Sequence, residues 1–226
     1  MSDAALDSDD AALATHATIF APDAFAGRTA LISGGAGGLG RACAWLLGRI
    51  GARIVLTGRD AARLEAAVAA LREKGVDACA HVVDIRTPES VAALFDWLDG
   101  EVGAIDLLVN SAGGQFPQAA LDFSEKGWST VVNTNLNGTW RMMQAAGRRW
   151  RDQGRPGSIV NIVVVTRQGL HGVAHTVAAR AGVVALSQAV AVEWAPHKIR
   201  VNCIAPGAIE TAGWRVYQPA QRATYA

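Results

Sequence analysis

Six short runs of apolar and β-branched residues alternate with longer helical stretches from residue 29 onward. The runs are TALIS (29–33), RIVLTG (53–58), ACAHVVD (78–84), IDLLVN (105–110), SIVNIVVV (158–165) and RVNCIA (200–205). The stretches with helical character are 38–50, 60–74, 88–100, 124–151 and 174–195. Strands that are apolar throughout are typical of a parallel sheet covered by helices on both faces. The alternation therefore predicts one doubly wound α/β domain of three layers with right-handed crossovers.

The composition and net charge of the chain limit the classes of function that are expected. The chain has 226 residues, half of them apolar, and a formal charge of +1, which suits a single domain with a sizeable core. Such balanced charge gives no reason to expect nucleic acid or an anionic membrane as partner. The cysteines, at positions 43, 79 and 203, are odd in number and lack metal-ligand spacing. No metal site is therefore predicted, and a reducing compartment, the cytoplasm, is expected.

The termini and the most apolar segment set the expected domain limits. Residues 177–195 are interrupted by several polar residues, so no membrane span is predicted. The N-terminus is acidic, whereas a secretory signal would be basic. We interpret residues 1–24 as an arm outside the core, with a frayed tail favoured over a segment packed on a neighbouring subunit, and residues 25–226 as the domain. The helix predicted over 174–195 is apolar nearly all round, which leaves burial within the chain and a subunit interface equally open.

A glycine cluster, SGGAGGLG, follows the first strand. Gly34, Gly38 and Gly40 are spaced G-x-x-x-G-x-G at a strand-to-helix turn. Glycines allow the backbone to approach a pyrophosphate closely, and the helix N-terminus offers N–H groups and the positive end of its dipole. Its position in a βαβ unit predicts a Rossmann-type dinucleotide site that also includes Ser33 and Leu39.

The end of the second strand indicates which dinucleotide binds. A carboxylate at this place would accept hydrogen bonds from the adenosine ribose of NAD, but here Gly58 is followed by Arg59. The planar guanidinium of an arginine can hold a 2′-phosphate, and Arg41 is a candidate to assist. The sequence therefore predicts NADPH as the cofactor.

The next two strands end in further candidate cofactor residues. Asp84 and Ile85 follow the third strand and are expected to border the adenine. Asn110 ends the fourth strand, at the carboxyl edge where open α/β sheets bind ligands.

Five motifs, SGGAGGLG, NSAG, NTNLNG, GSIVNI and IRVNCIAPGAIET, occur in this order over roughly residues 26–212. In this the chain resembles the short-chain dehydrogenases/reductases, most narrowly peroxisomal trans-2-enoyl-CoA reductases and more distantly 2,4-dienoyl-CoA reductases. The resemblance implies a homo-oligomer, a dimer or a tetramer, and makes Asn135 the active-site asparagine. It further implies cofactor contacts from Ala112, Gly113, Pro206, Gly207 and Ile209.

The chain departs from that family at the proton-transfer pair. The family's Tyr and Lys, four residues apart, are replaced by Thr176 and Arg180, and the only tyrosines, Tyr217 and Tyr225, follow the last predicted strand. Residues i and i+4 lie on one helix face, which the resemblance places at the nicotinamide ribose. Arg180 is accordingly assigned both to cofactor binding and to catalysis. On the preceding strand the family's serine position falls at a valine, and the nearest hydroxyl is Thr166.

The absence of the family's Tyr–Lys pair restricts the reactions that this chain is expected to catalyse. Reducing a ketone leaves an alkoxide that needs a positioned acid, worth roughly 10²–10⁴-fold. Reducing a C=C bond conjugated to a thioester places charge on the thioester oxygen, where hydrogen-bond donors suffice and Cα takes its proton from water. Asn135, Thr166 and Thr176 are the candidate donors. The sequence thus favours an NADPH-dependent 2-enoyl-CoA reductase of fatty acid metabolism with an acyl-CoA substrate.

Two other function classes remain open. One is an NAD(P)-dependent dehydrogenase of a lipid or terpenoid alcohol or carbonyl compound, and the other is a catalytically silent nucleotide-binding protein. The resemblance also implies that relatives continue past APGAIET through a substrate-covering segment, a helix and a seventh strand. We therefore expect this chain to be C-terminally incomplete.

Overall fold

The predicted strands form a six-stranded parallel sheet in the order β3-β2-β1-β4-β5-β6. The computed structural model describes residues 10–165 and 170–218, so Thr166 lies outside the described residues. The fold class is confirmed as a single Rossmann-like α/β domain. The strands are β1 Thr29–Ser33, β2 Arg53–Gly58, β3 Ala78–Val82, β4 Leu107–Asn110, β5 Gly157–Ile162 and β6 Ile199–Ile204.

Helices cover both faces of this sheet. They are α1 Asp10–Thr15, α2 Gly38–Arg49, α3 Ala61–Glu73, α4 Pro88–Trp97, α5 Glu125–Val132, α6 Thr139–Asp152 and α7 Ala174–Glu193. The helix predicted over 124–151 is two helices joined by a π-helical turn, Asn133–Gly138. A short 3₁₀ helix, Ala212–Val216, follows β6.

The core explains why the strands are apolar at every position. Leu31 and Ile32 are adjacent in β1 and both are fully buried, because successive side chains point to opposite faces of the sheet. Leu31 packs in a cluster with Phe95 and Trp150, whereas Ile32 packs in a second cluster with Trp45. The third and fifth strands end earlier than predicted, at Val82 and Ile162. The next residue of each run is still buried, but Val165, at the end of the second run, is exposed.

Part of the predicted N-terminal arm packs on the domain itself. Helix α1 lies against α2, where Asp10 accepts hydrogen bonds from the guanidinium of Arg41 and, at 2.8 Å, from Trp45 Nε1. Arg49 donates to the Leu13 carbonyl at 3.0 Å. Arg41, a candidate for the 2′-phosphate, is therefore engaged by α1, and the expectation of a frayed tail is wrong for residues 10–15.

Helix α7 differs from the sequence expectation about membrane spans. It is the one helix of the described residues whose length and composition would allow it to cross a bilayer, with a mean hydropathy of 1.2. One face packs on β6 and buries polar side chains, among them Thr176, Arg180 and Ser187. That packing is the behaviour of a core helix. The opposite face is exposed at Ala178, Ala181, Ala185, Ala189 and Val192.

Candidate active site

A cleft of about 650 Å³ opens along the carboxyl ends of β1 to β4. Its walls come from the glycine turn before α2, the start of α3, the segments after β3 and β4, and residues 211–216. The strand order reverses between β1 and β4, and an open α/β sheet forms its ligand crevice at such a reversal.

The glycine turn is shaped by close backbone packing. Gly34 has φ +73°, and a Cβ there would lie 2.7 Å from the backbone nitrogen of Ala112. A Cβ at Gly40 would collide with the Gly34 carbonyl. No side chain of the described residues caps the start of helix α2 at Gly38, so the amides of its first turn remain available to an anionic group.

Two arginines stand at the β2 end of the cleft. Arg59 is exposed in the cleft wall, as the sequence predicted, and Arg63 Nη2 lies 2.6 Å from where a Cβ of Gly37 would be. The neighbouring carboxylate, Asp60, caps α3 by accepting from the Arg63 amide at 3.1 Å. The positive charge of Arg59 and Arg63 at this end of the cleft therefore suits a phosphate. Arg63 was missed because its distance from the glycine turn depends on how α3 packs.

Asp84 and Ile85 line the cleft beyond β3, as predicted. The Asp84 carboxylate accepts from Arg86 Nε at 2.9 Å, and these hydrogen bonds hold the pKa of Asp84 below its usual value. Asp84 is thus a paired carboxylate at neutral pH.

A buried chain of hydrogen bonds ties the carboxyl ends of three strands to α7. Ser33 and Asn110 lie side by side on β1 and β4, with Ser33 Oγ 3.4 Å from Asn110 Oδ1. Asn110 donates to Asn161 Oδ1 at 2.8 Å, and Asn161 donates to Ser187 Oγ at 2.9 Å. Of these residues Ser33 lines the cleft, whereas Asn110 is buried and does not belong to the cleft wall. These hydrogen bonds hold the carboxyl ends of β1, β4 and β5 in fixed positions relative to α7.

Asn135 holds the loop that follows β4. Its Oδ1 accepts from the Gly114 amide at 2.9 Å, and its Nδ2 donates to the Gly114 carbonyl at 2.9 Å and to Thr176 Oγ1 at 2.7 Å. The side chain starts from the π-helical turn, a distortion that is frequent at functional sites. Both Asn135 and Thr176 are fully buried and lie outside the cleft wall.

Arg180 is the member of the predicted catalytic set that lines the cleft among the described residues. Its Nη2 lies 3.4 Å from the Ala112 carbonyl oxygen, and its Nη1 has no hydrogen-bond partner within residues 10–165 and 170–218. The side chain crosses directly over Gly113, where a Cβ would collide with it. Burial lowers the pKa of Arg180 to about 10, so the group stays cationic at neutral pH.

A buried cation without a counter-charge is costly. Throughout residues 10–165 and 170–218, no carboxylate forms an ion pair with Arg180. A group that is buried, cationic and directed into a cleft is a candidate contact for an electron-rich ligand.

An aromatic cluster surrounds His175 near the start of α7. His175 is fully buried, with its ring stacked on Phe123 at 4.4 Å and meeting the edge of Phe116 at 4.7 Å between centroids. Burial lowers the pKa of His175, which favours its neutral form.

The segment after β6 returns across the cleft. Thr211, Gly213 and Val216 line it, and Gln115 Nε2 donates to the phenolic oxygen of Tyr217 at 2.8 Å. Sequence reasoning missed Gln115 and Tyr217 because they are 102 residues apart. The predicted cofactor residues of the APGAI motif, Pro206, Gly207 and Ile209, lead into this segment but lie outside the cleft wall.

Comparison with known proteins agrees with this architecture. The family model for short chain dehydrogenase matches residues 28–222. The probable 2,4-dienoyl-CoA reductase of Bacillus subtilis is 35% identical over 189 residues, covering 82% of this chain and 74% of the relative. The 3-oxoacyl-(acyl-carrier-protein) reductase FabG of Pseudomonas aeruginosa is 36% identical over 197 residues, covering 87% and 79%.

A solved structure with the same fold is named for a third kind of reaction. The citronellol catabolism dehydrogenase of Pseudomonas aeruginosa superposes with a TM-score of 0.79 at 37% identity, covering 84% of this chain and 78% of that one. A C=C reductase, a ketone reductase and an alcohol catabolism enzyme are therefore about equally similar to this chain. The comparisons therefore identify the fold, but they do not distinguish among these substrates.

Proposed function

The chain belongs to the short-chain dehydrogenase family, and we propose that it reduces the C=C bond of 2-enoyl-CoA thioesters with NADPH. The observation that carries the proposal is Arg180, a buried cation in the cleft that pairs with no carboxylate of the described residues, beside a helix face that offers no phenol. A fixed positive charge can stabilise an enolate oxygen, but it cannot release a proton as the alkoxide from a ketone requires.

The cleft fits a nicotinamide dinucleotide. The close approach of Gly34 and Gly40 leaves backbone where a pyrophosphate needs it, and the uncapped start of α2 offers N–H groups. Arg59 and Arg63 suit the 2′-phosphate of NADPH, and Arg180 suits the ribose hydroxyls beside the nicotinamide. When bound, the cofactor supplies the hydride.

The protein's own groups divide the remaining tasks. Arg180 stabilises the negative charge on the thioester oxygen. Asn135 holds the Gly113–Gly114 loop in position, and Thr176 supports the Asn135 amide. Because Asn135 and Thr176 are buried, they are positioning residues in this proposal. The proton that ends on Cα comes from water.

Steady-state turnover with crotonyl-CoA and longer 2-enoyl-CoA esters, against a panel of ketones and alcohols, tests the substrate class. Reduction in D₂O should place deuterium at Cα and none at Cβ, whereas NADPH deuterated at C4 should label Cβ. Mass spectrometry of the product reads both labels. Brisk oxidation of alcohols with NADP⁺, with no turnover of enoyl-CoA, would contradict the proposal.

That contrary outcome would favour the alternative, a dehydrogenase of lipid or terpenoid alcohols, which the similarity to the citronellol catabolism dehydrogenase supports. A protein that binds NADPH and turns over none of these compounds would be a silent member of the family.

A cytoplasmic homo-oligomer is also part of the proposal. The exposed stripe of small side chains on α7 supports it, because small residues allow another helix to approach closely. Sedimentation of the wild type and of Ala185→Glu tests the interface: the variant should dissociate, and an unchanged sedimentation coefficient would exclude this face.

A further inference from the structure

The β2 end of the cleft holds two exposed cations. The side chains of Arg59 and Arg63 line the cleft wall, and neither guanidinium forms a hydrogen bond or an ion pair within residues 10–165 and 170–218. Arg63 extends from the first turn of α3 back to the glycine turn, where its Nη2 lies 2.6 Å from the place of a Cβ on Gly37. The two guanidinium groups thus reach one end of the cleft from two different elements, the end of β2 and helix α3.

The carboxylates at this end already have hydrogen-bond donors within the protein. Asp60 accepts from the Arg63 amide at 3.1 Å, and Asp84 accepts from Arg86 Nε at 2.9 Å. In NAD enzymes of this fold a carboxylate accepts hydrogen bonds from the ribose hydroxyls and so requires both to be free. Here the ribose is recognised through its phosphate instead. Arginine side chains are long and have many rotamers, so they can follow that phosphate from the 2′ oxygen to the adjacent 3′ oxygen.

A buried hydroxyl at the same end points to a ligand. Thr57, the residue before Gly58, lines the cleft and is fully buried. Its Oγ1 has no hydrogen-bond partner in the described part of the chain. A buried polar group without a partner is costly, and a ligand that fills this end of the cleft offers the hydroxyl a partner.

We propose that this end of the cleft also binds the 3′-phosphoadenosine diphosphate group of coenzyme A, in competition with NADPH. Both molecules contain adenine, a ribose with one phosphate, and a 5′-pyrophosphate, and the ribose phosphate differs only in its place on the 2′ or the 3′ oxygen. The amides at the start of α2 take the pyrophosphate, and Arg59 and Arg63 take the ribose phosphate in either place. The inference rests on the proposed function for the NADPH site and adds a regulator of it. Coenzyme A and its thioesters slow the enzyme when they accumulate, because they occupy the cofactor end of the cleft.

Displacement of bound NADPH, followed by its fluorescence, is the direct test. Coenzyme A should displace NADPH with an inhibition constant about tenfold lower than that of dephospho-coenzyme A, which lacks only the 3′-phosphate; this is the effect of one hydrogen bond to a charged group. Adenosine 3′,5′-bisphosphate should bind more tightly than AMP by the same factor. Equal displacement by coenzyme A and dephospho-coenzyme A would overturn the proposal, and so would binding of coenzyme A that leaves NADPH in place.

Substitution of the arginines tests which side chains hold the 3′-phosphate. Arg59→Ala and Arg63→Ala should each weaken the binding of coenzyme A about tenfold and leave that of dephospho-coenzyme A nearly unchanged. Arg148→Ala removes an exposed arginine of α6 outside the cleft wall and is the matched control, expected to change neither. Undiminished affinity for coenzyme A in both Arg59→Ala and Arg63→Ala would contradict the inference.

Failure of this inference can be told apart from failure of the proposed function, because the binding tests need no turnover. If the wild type reduces no enoyl-CoA, or prefers NADH, the proposed function fails. Calorimetric titration of coenzyme A and dephospho-coenzyme A into the free protein then decides the inference: a tenfold preference for coenzyme A sustains it, and no preference overturns it. If the wild type does reduce crotonyl-CoA, coenzyme A at a fixed crotonyl-CoA concentration should inhibit competitively toward NADPH. Competition with crotonyl-CoA alone would place coenzyme A at the substrate end of the cleft and refute the inference while the proposed function stands.

Discussion

The two ends of the cleft are built in different ways. The end at β2 consists of two strand-to-helix turns, residues 33–40 and 58–63, each made of consecutive residues. The end at α7 is joined by hydrogen bonds across 21, 41 and 102 residues, linking the β4 loop to Asn135, Asn135 to Thr176, and Gln115 to Tyr217. The first end follows its family's sequence pattern closely, whereas the second departs from it. Substitutions should therefore change cofactor choice at one end and chemistry at the other.

The largest effect is expected at the α7 end, where one substitution should lower activity and yet raise stability. Arg180→Met should lower kcat/KM by roughly 10²–10³-fold, the loss for one donor to a developing oxyanion, and should weaken NADPH binding. It should raise the free energy of unfolding by about 1 kcal/mol, because it removes a buried charge that pairs with no carboxylate in the described part of the chain. Turnover assays and urea unfolding measure the two quantities. Arg200→Met, an exposed arginine on β6, is the control, and a loss of stability in Arg180→Met would mean that the cation has a partner.

Breaking the loop anchor should affect both stability and activity. Asn135→Ala leaves the Gly114 amide and carbonyl without their partner, which should reduce the free energy of unfolding by about 2 kcal/mol. Thr176→Val removes the hydroxyl that accepts a hydrogen bond from Asn135 Nδ2 and should cost about 1 kcal/mol. Asn137→Ala, an exposed position of the same π-helical turn, should be near neutral. Equal denaturation midpoints for Asn135→Ala and Asn137→Ala would refute the anchoring role.

A change at the β2 end should leave the chemistry intact. Arg59→Ala should raise the Kd of NADPH about tenfold, since a charged hydrogen bond to phosphate contributes about 1.5 kcal/mol, and should leave the Kd of NADH and kcat unchanged. Fluorescence titration of both cofactors measures this. Tighter binding of NADH than of NADPH by the wild type would contradict the assignment of the cofactor.

The smallest effect concerns the aromatic cluster around His175. The pKa of His175 is lowered in the folded state from its ordinary 6.5, so the unfolded chain binds a proton first as pH falls. Stability conferred by neutral His175 is therefore full above about pH 7.5 and is lost as pH falls through 6.5 toward the folded pKa. Thermal unfolding at a series of pH values should show this slope, and His175→Phe should flatten it while His16→Gln, at an exposed histidine, should not. A parallel slope in His175→Phe would assign it elsewhere.

Sequence alone predicted the parts of the molecule that depend on neighbouring residues. The apolar runs gave five strand-to-helix crossovers and the parallel sheet, because burial on both faces requires apolar residues at every position. The glycine turn and Arg59 were predicted because each lies next to the strand that positions it. The helical repeat placed Thr176 and Arg180 on one face of α7, because a spacing of four residues fixes that register without any knowledge of packing.

Only the tertiary structure decided which side chains meet across the cleft. The sequence predicts Arg59 as the phosphate ligand with Arg41 as a candidate to assist, yet α1 engages Arg41 through Asp10, whereas Arg59 lines the cleft. Asn135 and Thr176 are predicted donors, but they face each other beneath the loop rather than the cleft. Tyr217 is excluded by its distance along the chain and yet contacts Gln115. Sequence determines local geometry through propensity and periodicity, whereas contacts between distant residues depend on how the layers pack, and that packing determined the substrate end of this protein.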